Sequence, residues 1–366
     1  MGTRAAAAYF SDSYVFNWQN QTFASDLIFV VPIAFCLAIG LGVGHPGAGM
    51  LAAGGAMTVG FGAKHIIDRS RLLPMVFASV GIAFSTFVGM VAGHQNAVVV
   101  AVAAFWAFGY GMLTSRPGGY GWVGQQCVVT LLVGSAFPIS AKPAVIRALL
   151  LLAGGVAQVM WSCAALRLFR QLRENLMAMA RYLREEEIAL RAAVAEVTST
   201  VRRGRFANSA LLYSLRLMVT VGVSTEIYRR LHFASGYWVP MTALLVLKPG
   251  LVDTASRAIA RTLGTIAGAW LLSVLVAHIA PSPLALAVLT VLFAWLSYAT
   301  LNVNYALFAV FITGYIVFLL SLAQIPGAEI AHRRALCTAL GGAIALAVRL
   351  VVIRWRKRQR ADAVGR

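Results

Sequence analysis

The residues of this chain that could do chemistry are cations placed in apolar surroundings. Arg216 stands inside the apolar run Ser209–Ile227, about 10 Å deep if the run is helical at ~1.5 Å per residue. A charge at mid-helix in a bilayer costs at least about 2.5–3.5 kcal/mol. Arg216 therefore reads as an anion site or a pore-lining cation, or as a side chain that snorkels back to the headgroups. Arg257 and Arg261 are spaced i, i+4 and share one face of a helix. Lys248 stands just before Pro249-Gly250, a pair that ends a helix. Together the three would gather anions by electrostatic focusing, or simply anchor the cytoplasmic side of a membrane protein. Tyr237 and Trp238, at the far end of the same short run, offer rings that could stack on a substrate ring.

Acid–base and metal chemistry have little to work with. Glu226 is the carboxylate nearest an apolar interior, and it either titrates or pairs with Arg229 or Arg230 at helical spacing. His278 is the other weak candidate for proton coupling. No phosphate-binding G-x-x-x-x-G-K-[ST] loop and no G-x-S-x-G elbow occurs. Cys36, Cys127, Cys163 and Cys337 all fall in apolar runs, without metal-ligand spacing. These features point away from an enzyme, and no cofactor or metal is expected.

Composition says what must position the cations. Of the 366 residues, 60% are hydrophobic and 12% charged, half the charge of an ordinary soluble domain at about 25%. The net charge of +19 would suggest nucleic acid for a soluble chain. Here it reads as basic loops on a multi-pass protein, with the bilayer and not nucleic acid as partner. About twelve apolar runs are each near the ~20 residues needed to cross a bilayer. They lack period-two alternation, so they must be helices. The expected fold is all-α, with a cytoplasmic N-terminal segment 1–26 and a first transmembrane repeat 27–166. An amphipathic connector helix 167–206, a second repeat 207–353 and a basic tail 354–366 follow. No cleavable signal is apparent, and Leu27–Val43 reads as a retained first span.

Arg147-Ala148-Leu149 with Gly154-Gly155 recurs at one fixed offset as Arg334-Ala335-Leu336 with Gly341-Gly342. Two repeats of about six helices each, in the same orientation, are the expectation. With both termini cytoplasmic, most Lys and Arg lie inside. Only Lys142, Arg147, Arg229, Arg230, Arg333 and Arg334 lie outside. The runs Tyr237–Leu247 and Pro46–Gly62, one short and one rich in Gly, hold matching places in the two halves. Interrupted helices at matching places point to a transport site. Gly264-x-x-x-Gly268 and the Gly40, Gly42, Gly44 series read as close helix contacts, or as a homodimer face. Trp18, Trp122, Trp238 and Trp355 read as an interfacial belt, and Asn302 and Asn304, at a cytoplasmic turn, as residues that read a substrate or cap the next helix.

The stretch from Tyr237-Trp238-Val239-Pro240 to Leu247-Lys248-Pro249, then Arg257 and Arg261-Thr262-Leu263-Gly264-Thr265-Ile266-Ala267-Gly268, resembles the fusaric acid resistance protein-like family. Arg216 resembles that family's arginine in the preceding helix. The resemblance implies an inner-membrane efflux transporter for aromatic carboxylates or similar organic anions, by implication proton-coupled. It also implies a periplasmic adaptor as partner in some relatives, and a distant likeness to plant malate channels. Many members carry a long cytoplasmic domain between the halves, where this chain has only 167–206. The rival readings are a passive anion channel and a membrane scaffold working through 167–206.

Overall fold

The computed structural model describes residues 9–165, 209–233, 235–279, 282–323 and 327–364, and among them every regular element is helical. The helices are α1 (Ser11–Tyr14), α2 (Phe23–Gly42), α3 (Pro46–Gly60), α4 (Leu72–Ala92), α5 (Asn96–Leu113), α6 (Tyr120–Ser135) and α7 (Ala141–Ala165). After the connector come α8 (Ser209–Arg230), α9 (Trp238–Val246), α10 (Leu251–Ile279), α11 (Pro283–Thr300), α12 (Tyr305–Ser321) and α13 (Gly327–Val364). Seven of these (α2, α4, α5, α7, α8, α11 and α13) are long and apolar enough to cross a membrane, and α12 is a shorter apolar helix. The connector 167–206 lies outside the described residues. The basic tail continues α13 as helix to Val364.

Local chemistry sets the helix ends. Pro46 and Pro283 open α3 and α11, where the missing N–H is no loss. Ser282 and Asn304 cap α11 and α12 through side-chain oxygens that accept from Ala285 and Leu307 N–H.

Small residues let the helices touch backbone to backbone. A Cβ at Gly154 would strike the Ala52 carbonyl, joining α7 to α3. A Cβ at Gly341 would strike the Val239 carbonyl, joining α13 to α9. Gly264 and Gly268 of α10 lie against the Ala306 and Val310 carbonyls of α12. The GxxxG face therefore packs on α12 within the chain.

The two sequence halves do not form separate bundles. One buried core joins Ile33, Leu37, Met57 and Ile82 to Phe293, Tyr298 and Phe318. The other joins Val128 and Leu131 to Leu217, Val239 and Leu244. Trp295 of α11 donates its indole N–H to the Phe23 carbonyl of α2 at 2.8 Å, one of the bonds between halves.

The N-terminal boundary differs from expectation. Helix α2 begins at Phe23, so Asp26 lies in its first turn and is 2% exposed. Lys64 Nζ donates to Asp26 Oδ2 at 2.8 Å, and also to Thr22 Oγ1 and the Tyr298 carbonyl. A carboxylate with a cation and a hydroxyl beside it can be buried. That partner is remote in sequence, so Asp26 reads as polar flank until the fold brings Lys64 to it.

Candidate functional site

The site is built around α9. Its nine residues rise about 13.5 Å, under half of a ~30 Å bilayer core. All of them except Leu245 are buried. Leu247-Lys248-Pro249-Gly250 then breaks the chain before α10. Such a short, enclosed helix puts its two ends inside the protein, and side chains from α10, α12 and α13 meet it there.

At the Lys248 end a cavity of about 270 Å³ is lined by Ser11, Asp12, Lys248, Pro249, Asp253, Ser256 and Arg257. Thr254 ties the break together: its Oγ1 accepts from Lys248 N–H at 3.0 Å and donates to the Gly250 carbonyl at 2.6 Å. Burial, and then the Arg257 charge, hold the Lys248 ammonium below the usual lysine range, while Tyr305, Asp12 and Asp253 partly oppose them. The Arg257 guanidinium lies 3.5 Å from the centre of the Tyr305 ring and 3.7 Å from Asp12 Oδ2.

One turn along α10, Arg261 is 5% exposed, and its Nη1 donates to Tyr305 Oη at 2.9 Å. Further along α12, about 12 Å from Tyr305 at ~1.5 Å per residue, Thr313 meets Arg334 of α13. Arg334 is 1% exposed, and its guanidinium lies 4.0 Å from the centre of the Trp238 ring. Its Nε donates to Thr313 Oγ1 at 3.2 Å. Arg261 Nε, Arg334 Nη1, Thr242 Oγ1 and Thr265 Oγ1 are buried and have no hydrogen-bond partner among the described residues. Among the described residues, neither Arg261 nor Arg334 has a carboxylate partner. Burying an ion costs several kcal/mol unless charge and hydrogen bonds compensate it. Two guanidiniums held by rings and hydroxyls alone form a region that favours an anion.

Tyr237, Trp238, Lys248, Arg257 and Arg261 thus fall around one short helix. The rings differ from expectation in what they touch. Trp238 is 5% exposed and lies under Arg334, so it is no belt residue. Tyr237 is equally buried, 4.9 Å from Trp238 and 6.1 Å from Phe137. Neither ring has an open face for a substrate ring. Arg216 donates its Nε to the Leu212 carbonyl one turn back on α8, and its Nη1 is buried. Glu226 pairs with Arg230 on the exposed end of α8. His278 stands in the last turn of α10, and its side chain is outside the described set.

Arg334, Tyr305, Thr313 and Asp12 are the members of the site that sequence reasoning passed over. A signal for Arg334 was present. Arg333 pairs with Glu329 at i, i+4 on the exposed face of α13, and the next residue turns by about 100° and so faces inward.

Residues 223–348 match the family model described as fusaric acid resistance protein-like. An uncharacterized protein of Synechocystis sp. is 30% identical over 149 residues, which is 40% of this chain and 20% of that protein. The chain therefore spans about a fifth of the length of the curated relative it matches. No solved structure matches. The match takes in Lys248, Arg257, Arg261, Tyr305, Thr313 and Arg334, while Ser11, Asp12 and Arg216 lie outside it. The resemblance to the fusaric acid resistance protein-like family is thus shown over residues 223–348.

Proposed function

We propose that the protein is a multi-pass membrane transporter that exports organic anions, aromatic carboxylates among them. The observation that carries this reading is the pair of buried guanidiniums, Arg261 and Arg334, which have no carboxylate partner among the described residues. An anion is collected at the cavity of Lys248 and Arg257. It passes to Arg261 Nε, then to Arg334 Nη1. At each station a charge-assisted hydrogen bond, the strong kind, replaces one left unmade. Two stations of similar chemistry allow entry without trapping, the condition for conduction. Tyr305 and Trp238 serve as platforms that hold the guanidiniums in place. The carboxylate is what the site reads, and the rest of the substrate is accommodated.

Two further parts of the proposal concern architecture. The chain is built from two parallel repeats. In support, the offset that carries Arg147 to Arg334 also carries Asn96–Leu113 to Pro283–Thr300, and the Gly154–Ala52 contact to Gly341–Val239. The chain sits in an inner membrane with Lys64, Lys248 and Arg257 facing the cytoplasm, the side that loop charge favours.

Uptake of radiolabelled benzoate into inside-out vesicles tests the function. Saturable uptake above empty vesicles, lost in Arg261→Met, is expected. Equal uptake with and without Arg261 would overturn the proposed path. A dependence on a proton gradient separates a coupled exporter from a passive channel.

A further inference from the structure

The cavity at Lys248 and Arg257 is closed on one side by a separate piece of chain. Helix α1 brings Ser11 and Asp12 onto the start of α10. Asp12 N–H donates to Ser256 Oγ at 2.9 Å, and the Ser11 and Ser256 hydroxyls lie 3.1 Å apart. The Asp12 carboxylate reaches Arg257 at 3.7 Å, with both side chains about one-third exposed. Beyond α1, Asn17 N–H donates to the Val303 carbonyl and Asn304 Nδ2 to the Val15 carbonyl, each at 2.9 Å. Asn304 is also the cap of α12, the helix that carries Tyr305. The segment is therefore fastened to α10, which carries Arg257 and Arg261, and to the turn that opens α12.

The bonds named here are all polar. Helix α1 buries none of its four residues. Phe10, Tyr14, Val15 and Phe16 are all more than 40% exposed. Segments with few buried apolar contacts open at low free-energy cost. What the segment does place accurately is a carboxylate, on the first cation that an incoming carboxylate would meet.

We infer that residues 11–17 form a tethered plug, in which Asp12 takes the place of a substrate carboxylate at Arg257 and must be displaced before an anion enters. This rests on the transport reading above. A tethered group competes at an effective concentration of order millimolar, so the plug sets a threshold for substrate. The plug acts on entry and not on the buried stations. Its removal lowers the apparent KM and leaves the dependence on Arg261 in place.

Two variants of the full chain test it by benzoate uptake into inside-out vesicles. Asp12→Asn keeps the backbone bond to Ser256 and removes the charge. A part-exposed pair of this kind supports a fall in KM of about 2- to 5-fold. Ser11→Cys with Ser256→Cys joins the plug to α10 on oxidation. Uptake should stop when the pair is oxidised and return on reduction. If the locked protein transports normally, or Asp12→Asn leaves KM unchanged, the plug is overturned and the transporter stands. If neither the wild type nor any variant takes up benzoate above empty vesicles, the transport reading is overturned and the plug with it.

Discussion

Replacing Arg334 by Met separates a structural role from a functional one. Arg334 is among the largest fully buried side chains in the described structure. Truncation of a large apolar core residue costs about 2–5 kcal/mol. For Arg334 three effects oppose one another. The Trp238 contact at 4.0 Å is worth about 2 kcal/mol when desolvated. The Thr313 bond at 3.2 Å, made by a charged donor, contributes about 1.5–3 kcal/mol. Against these stands the burial of an uncompensated ion, several kcal/mol. Met fills most of the vacated volume, so the net change in stability should lie within about 2 kcal/mol of zero. The change in anion affinity should be large. Loss of one charge-assisted bond of about 1.5–3 kcal/mol weakens benzoate binding by roughly 10- to 150-fold. Thermal unfolding of the purified protein in detergent, with and without benzoate, reads both quantities. Wild type should gain stability with benzoate, as any ligand of the folded state requires, and Arg334→Met should gain less at the same benzoate concentration. A variant that loses more than about 4 kcal/mol, yet is still stabilised by benzoate as wild type is, would refute this reasoning.

Three other outcomes follow from the geometry. Gly154→Ala and Gly341→Ala each drive a methyl into a facing carbonyl, and each should destabilise by about 1–3 kcal/mol in thermal unfolding, the usual range for overpacking. Asp26→Ala strands the Lys64 ammonium beside Thr22 and Tyr298. It should cost about 3–5 kcal/mol, and Asp26→Ala with Lys64→Ala should cost less than the sum. Lys248 holds its proton less firmly than a free lysine. Its positive charge is complete at low pH and disappears as pH rises through that lowered range, so benzoate uptake should weaken on the alkaline side. Lys248→Arg, charged throughout, should flatten the profile.

Much of this arrangement is legible in the residues, and the remainder is not for physical reasons. The i, i+4 spacing of Arg257 and Arg261 fixes a shared helix face before any fold is known. Pro249-Gly250 ends α9 where expected, and Asn304 caps α12. Glu226 pairs with Arg230 as helical spacing allows. What escapes are contacts between residues remote in sequence. Asp26 reads as polar flank because Lys64 and the Tyr298 carbonyl reach it only through the fold. Trp238 reads as interfacial because periodicity does not reveal that α13 brings Arg334 to its ring. Arg334 reads as a loop cation because α13 starts at Gly327, ahead of the apolar run that begins at Ala335.

Equilibrium binding of radiolabelled benzoate to the purified full-length chain measures most directly whether the two buried guanidiniums hold an anion. Wild type should bind saturably. Arg261→Met and Arg334→Met should each lose at least about tenfold in affinity, the share of one charged hydrogen bond. Wild-type affinity in both variants would contradict a path through Arg261 and Arg334.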